Sequence, residues 1–210
     1  MRDKTNDIVE KATTVFMQNG LHSVSMDHIA SYCRISKKTL YEIFQSKEIL
    51  VKTIVQKLIL KTSKYIGLCP DISPNAIKEI ENFSEHIIAV LEILTPHFIR
   101  DLRKYYPGVY TMLIVFRDNS IIPYLESCLN RGIKEENFRP DINKRNTGWL
   151  YCWQIQNALE GETSQAGTNK IIESTNDLFL HGILNLKGMK LLRMNKQNEY
   201  TEQKQKPGTG

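Results

Sequence analysis

The chain has 210 residues, of which 41% are hydrophobic and 24% charged, and its formal net charge is +5. This composition is that of an ordinary globular protein with a real core, in one large domain or two small ones, and it excludes collagen-like and wholly disordered chains. An apolar stretch such as residues 87–91 is far too short to cross a bilayer, and residues 1–7 contain no apolar signal region, so a cytoplasmic protein without membrane contact is expected.

The charge is unevenly placed. Residues 1–61 hold ten Lys and Arg against six Asp and Glu, residues 62–186 twelve against fifteen, and residues 187–210 six against two. The two basic ends suit contact with a polyanion, and the middle suits another task. Four cysteines, Cys33, Cys69, Cys128 and Cys152, are far apart and form no Cys-x-x-Cys pair, which fits free thiols in a reducing compartment.

The first predicted helix covers residues 5–19, with Ile8, Ala12, Val15 and Phe16 on one stripe and Gly20 as its terminator. Ser25 then caps a short helix whose Met26, Ile29, Ala30 and Cys33 share a face, with Asp27 in the first turn. Ile35 plugs the turn and Ser36 caps the next helix, which directs Leu40, Ile43 and Phe44 inward and Lys37, Lys38, Thr39, Tyr41 and Glu42 outward. Ser46 caps again, and Lys47 opens a further helix. Ala30 sits where two helices must cross closely, which is the requirement of a helix-turn-helix whose second helix enters the major groove. Two lysines, a hydroxyl and a phenol on the outward face suit phosphate contacts with one or two base-edge contacts.

This stretch resembles the N-terminal region of the tetracycline-repressor (TetR) family of bacterial regulators. The resemblance is carried by Ile8, Ala12, Phe16, Gly20, Ser25, Ile29-Ala30, Ile35 through Tyr41, Phe44 and Ser46-Lys47-Glu48, within about the first 55 residues. It implies that Tyr41 and Lys47 hold DNA phosphates while Ser36, Lys37, Lys38 and Thr39 lie toward the groove. One departure stands out: Arg34 occupies the turn where the family usually has glycine. Arg34 must take a left-handed backbone or reshape the turn.

Beyond residue 46 a connecting helix is expected to residue 66, with Ile49, Leu50, Ile54, Leu58 and Ile59 inward, followed by a break over residues 68–74. Ser73-Pro74 should cap and start a helix reaching residue 94, and Thr95-Pro96 a short one through residue 105. A long helix over residues 109–136 should kink at Pro123, residues 137–143 should turn, and helices are expected over residues 144–159 and 170–186 around a polar loop. The polar residues from 195 onward read as disordered.

The expected architecture is therefore all-α. It comprises an N-terminal three-helix helix-turn-helix DNA-binding domain over residues 1–48, a helical ligand-binding and dimerisation domain over 49–194, and a disordered tail over 195–210. Trp149, Leu150, Trp153 and Leu159, with Ile171, Ile172, Leu178, Phe179, Ile183 and Leu186, offer faces for a four-helix dimer interface, although part of each must be intrachain core. Phe83, His86, Phe98, Tyr105, Tyr110, Met112, Phe116, Tyr124 and Trp153 could supply an aromatic cavity for a lipophilic effector, with core packing the competing account for each.

The five histidines show no ligand spacing, and no catalytic or nucleotide-binding motif occurs, so neither an enzyme nor a cofactor or metal is expected. The function implied by the resemblance is a ligand-responsive repressor that binds a palindromic operator in double-stranded DNA as a homodimer. An activator of the same family, or a helical interaction protein without DNA binding, is the alternative.

Overall fold

The computed structural model describes residues 4–161 and 164–205, and among them the secondary structure is helical apart from an isolated bridge between Phe138 and Leu184. Helix α1 (Lys4–Asn19) buries Ile8, Val9, Ala12, Val15 and Phe16, and Gly20, with φ at +79°, ends it. A side chain at Gly20 would collide with His97. Then come α2 (Met26–Cys33), α3 (Lys37–Ile43) and α4 (Lys47–Ile72), the last about 39 Å long at ~1.5 Å per residue.

The second half is built from α5 (Ala76–Leu91), α6 (Pro96–Tyr105), α7 (Pro107–Phe116), α8 (Ile122–Lys134), α9 (Lys144–Glu160), α10 (Gln165–Ile183) and α11 (Leu186–Gln205). Helices α8, α9 and α10 pack side by side, α5 lies against α4, α8 and α10, and α7 also reaches α4. Gly132 allows α8 to approach the following turn: a Cβ there would lie 2.0 Å from the Phe138 ring, itself fully buried.

Several boundaries differ from the sequence expectation. The break expected over residues 68–74 is absent up to Ile72, and Pro70 lies inside α4. Arg131 of α8 supports the last turn. Its Nη1 donates to the Pro70 carbonyl at 2.9 Å and its Nη2 to that of Ser73 at 3.0 Å, so the last carbonyls of α4 have a cationic partner. The same guanidinium meets Glu79 at 2.8 Å and Glu135 at 2.7 Å, and Glu135 accepts from the Ala76 N–H at 2.9 Å. Asn75, not Ser73, caps α5, its side chain accepting from the Lys78 N–H. On α4, Ile49 is 39% exposed rather than inward, and Leu50, Val51, Ile54, Val55 and Leu58 form the inner face.

The long helix expected over residues 109–136 is instead divided into α7, a π-helical turn and α8, with Pro123 in the first turn of α8. Ahead of it, residues Arg117–Ile121 make a π-helical turn, with the Ile122 N–H donating to the Arg117 carbonyl. Such turns absorb an extra residue and re-aim the side chains they carry.

Helix α10 starts at Gln165, where Ser164 caps it, and a further helix follows. The tail expected to be disordered from residue 195 is helical as far as Gln205. Lys, Gln, Glu, Met and Arg are good helix formers, and Asn185 anchors the start, donating to the Glu136 carbonyl at 2.8 Å and accepting from the Gly188 N–H at 3.0 Å. Residues 206–210 of that tail, and residues 162 and 163 of the loop before α10, lie outside the described residues.

The two halves meet at α6. The His22 N–H donates to Asp101 Oδ2 at 2.9 Å, the His97 ring stands 3.7 Å from the same oxygen, and the His22 ring stacks on Tyr105 with centroids 4.3 Å apart. Asp101 is buried while His22 is exposed, so the contact is shielded from water on the α6 side only.

The Arg131 node should dominate the stability of the second half. Glu79 is 1% exposed, and removing its cation leaves an unmatched buried carboxylate. Arg131→Ala should therefore cost on the order of 3–5 kcal/mol, read as a lowered urea midpoint with an unchanged slope.

Candidate nucleic-acid interface

The presentation of α3 begins in the turn before it. Arg34 adopts φ 56°, ψ 43°, the left-handed region, and its N–H donates to the carbonyls of Ala30 and Ser31. The Ile35 N–H also donates to the Ala30 carbonyl, at 3.0 Å. Two amides thus close α2 and turn the chain sharply. Ala30 and Ile29 are fully buried at the crossing, Leu40 is fully buried on α3, and Ile35 is half-buried against the core. The strain of a non-glycine left-handed residue is tolerated because these contacts fix the turn.

Ser36 starts α3. Its Oγ accepts from the Thr39 N–H at 3.0 Å and lies 2.8 Å from Thr39 Oγ1. Leu40 points inward and Ile43 is half-buried, while Ser36, Lys37, Lys38 and Tyr41 are exposed and Thr39 half-exposed. Lys37 pairs with Asp27 at 2.5 Å, with 66% and 53% of the two side chains accessible. An ion pair so wet contributes little, and a phosphate can take the lysine from it.

Lys47 differs from the other five. It follows the Ser46 cap at the start of α4, where Ser46 Oγ accepts from the Ile49 N–H at 3.2 Å. Its ammonium donates to the His22 carbonyl at 3.3 Å and lies 5.8 Å from the Phe16 ring centroid. Burial lowers its pKa from the ordinary lysine value, and the Asp101 carboxylate pulls it partly back. Five of the six predicted residues thus share the α3 surface, whereas Lys47 stands at the seam between α4, the α1–α2 loop and α6. His22 and Asp101 were not singled out from the sequence. They are 79 residues apart, and only the fold joins them.

A second site lies in the second half. A cavity of about 160 Å³ is walled by aliphatic and aromatic side chains of α4, α5, α6, α7 and α9, including Leu58, Phe83, Ile99 and Leu113. Phe83, Tyr110 and Phe116 of the predicted aromatic set line it; His86, Phe98, Tyr105, Met112, Tyr124 and Trp153 do not. His86 is stacked on Tyr65 and bonded to Thr62, Phe98 is fully buried core, and Trp153 stands 49% exposed beside Trp149. Trp149, Leu150, Ile171, Leu178 and Leu186 are also exposed, whereas Leu159, Ile172 and Ile183 are buried within the chain. All four cysteines are buried free thiols, and burial raises the pKa of Cys33, Cys128 and Cys152. Among the described residues no group of His, Cys, Asp and Glu is arranged to hold a metal ion.

Residues 8–54 match the family described as bacterial regulatory proteins, tetR family. Along more of its length the chain is similar to the uncharacterized HTH-type transcriptional regulator YvaF of Bacillus subtilis, 24% identical over 183 residues that make up 84% of this chain and 93% of that one. Its fold is similar to that of a TetR-family regulator from Agrobacterium tumefaciens, with a TM-score of 0.68, 16% identity, and coverage of 87% of this chain and 98% of that one. It is also similar to that of AibR, whose structure is in complex with isovaleryl coenzyme A and operator DNA, with a TM-score of 0.61, 16% identity, and coverage of 87% and 98%.

The cap on α3 is testable without DNA. Ser36→Ala removes the acceptor for the Thr39 N–H and should lower stability by about 0.5–2 kcal/mol in chemical denaturation, whereas Ser36→Asn should restore most of that loss.

Proposed function

We propose that this chain, a member of the TetR family of bacterial transcriptional regulators, is a homodimeric, ligand-responsive repressor that reads a palindromic operator with α3. The observation that carries this reading is the α3 surface itself: two lysines, a hydroxyl and a phenol stand exposed, with Thr39 half-exposed among them, on a short helix whose opposite side is locked into the core. Lys37, Lys38 and Thr39 lie at its N-terminal end, the part of a recognition helix that meets base edges. Ser36 borders the groove at the same end. Tyr41 and Lys47 hold the phosphates that set the register. Free N–H groups at the start of α4 reinforce Lys47 there.

One reading head makes too few contacts for specific binding, and two heads about 34–36 Å apart match successive major grooves on one face of DNA. The exposed Trp149, Leu150 and Trp153 of α9, with Ile171 and Leu178 of α10, form an apolar surface that a second copy would cover. The protein works in the cytoplasm, where operator DNA is found. Among the described residues no helix is long and apolar enough to cross a membrane.

The cavity is the effector site. Leu58, Ile59 and Thr62 of α4 and Ile99 of α6 line it, so its occupant touches both helices that reach the DNA-binding module. A ligand that fits better when these helices move apart shifts the heads away from operator spacing, by no more than its preference for that geometry.

Duplex DNA from the region upstream of the gene should bind with an affinity that falls steeply as salt rises. Tyr41→Ala and Lys47→Ala should each weaken binding to specific and random duplexes alike, and changes at Lys37 or Lys38 should alter sequence preference by about 1–3 kcal/mol at the contacted base pair. Salt-insensitive binding, or Tyr41→Ala binding at full strength, contradicts the reading. Light scattering should give a particle of about twice 24.3 kDa.

A further inference from the structure

The cavity is apolar on most of its wall and carries one polar cluster, at the junction of α7, the π-helical turn and the end of α9. Tyr110 donates to Glu160, and Gln156 Nε2 donates to Tyr110 Oη at 3.1 Å and to Glu160 Oε1 at 2.7 Å. Arg117, at the first position of the π-helical turn, donates to the Gln156 side-chain carbonyl. The ionic groups are matched in pairs: Arg103 with Glu160 at 2.7 Å, and Arg117 with Asp118 at 2.8 Å. Burial and the bond to Glu160 push the Tyr110 phenol up to about 12, so it remains a neutral donor at any working pH.

We propose that this cavity takes an uncharged amphiphile with a single hydrogen-bonding group, a medium-chain alcohol, ketone or simple phenol, whose polar end meets Gln156 and Tyr110. The size follows from the volume. An apolar cavity of ~150 Å³ holds one benzene ring, so about 160 Å³ admits an apolar body of about six to eight carbon atoms. The charge follows from the pairing. Two guanidinium groups and two carboxylates already cancel, so a carboxylate ligand would bring an unmatched charge into a low-dielectric wall. A hydroxyl or carbonyl only exchanges one hydrogen bond for another, and the Gln156 amide can both donate and accept. This assignment rests on the reading of the cavity as the effector site.

The test uses the full chain without DNA and three probes of equal chain length: octan-1-ol, octanoate and octane. Octan-1-ol at about ten times its Kd should raise the melting temperature by roughly 3–6 °C, with octanoate at least tenfold weaker in calorimetric titration. Gln156→Leu should reduce octan-1-ol affinity about tenfold, toward the level of octane. Leu113→Trp fills the cavity and should abolish binding of all three, its own melting curve showing that it folds. Octanoate binding as well as octan-1-ol, or octan-1-ol binding unchanged in Leu113→Trp, overturns the proposal, as does no binding of octan-1-ol. DNA affinity is measured separately. Octan-1-ol that binds without loosening DNA supports the ligand class and overturns the effector reading, whereas salt-dependent DNA binding by a protein indifferent to octan-1-ol overturns the ligand class alone.

Discussion

A left-handed arginine between two short helices determines how this protein presents α3 at its surface. Because Arg34 and Ile35 both donate to the Ala30 carbonyl, α2 ends abruptly and the chain turns into α3 within three residues. Ala30 is fully buried beside this turn. The remaining consequences are geometric: Leu40 is pulled into the core, the Ser36 cap is set at the surface, and the polar side of α3 has nowhere to go but outward. Glycine would adopt this backbone without strain. Arginine adopts it because the core contacts on either side over-determine the turn, and it leaves a cation beside α3.

The second constraint is α6, which faces both ways. Its Ile99 lies on the cavity wall, and two residues later Asp101 accepts the His22 N–H from the loop between α1 and α2. Lys47 completes the joint from α4, donating to the carbonyl of the same His22. A displacement of α6 or α4 by a ligand is therefore felt at a loop only a few residues from α2. The His22–Asp101 bond is part-buried and the Lys47–His22 bond exposed, and each is either made or broken. That property suits a switch.

Local chemistry made the N-terminal module legible. Caps at Ser25, Ser36 and Ser46, the apolar spacing of Ile8, Ala12 and Phe16, and the small residue at Ala30 all act within a few residues of one another. The same logic failed where a distant partner overrode a local signal. Pro70 reads as a helix breaker, yet α4 runs through it to Ile72, and Arg131, 61 residues after Pro70, supplies a donor to the Pro70 carbonyl in its last turn. The far end of the chain reads as a polar tail, yet Asn185 nucleates a helix by bonding to the 136–138 turn. Of the aromatic set proposed for the cavity only Phe83, Tyr110 and Phe116 line it, since the aromatic residues were visible but their pairings were not. His86 is taken up by Tyr65 and Trp153 by the outer face of α9. Arg117 and Gln156 could not be found by spacing, because they lie 39 residues apart on different helical elements and only the fold joins them.

The account stands or falls on which surface meets DNA. Hydrogen–deuterium exchange of the full chain, free and with duplex DNA at low salt, reads this directly. Slowed exchange should concentrate in α3 and the first turn of α4, with weaker protection at the α1–α2 loop that Lys47 and Asp101 hold. Protection confined to the second half, with α3 exchanging as fast in the complex as in the free protein, would contradict it.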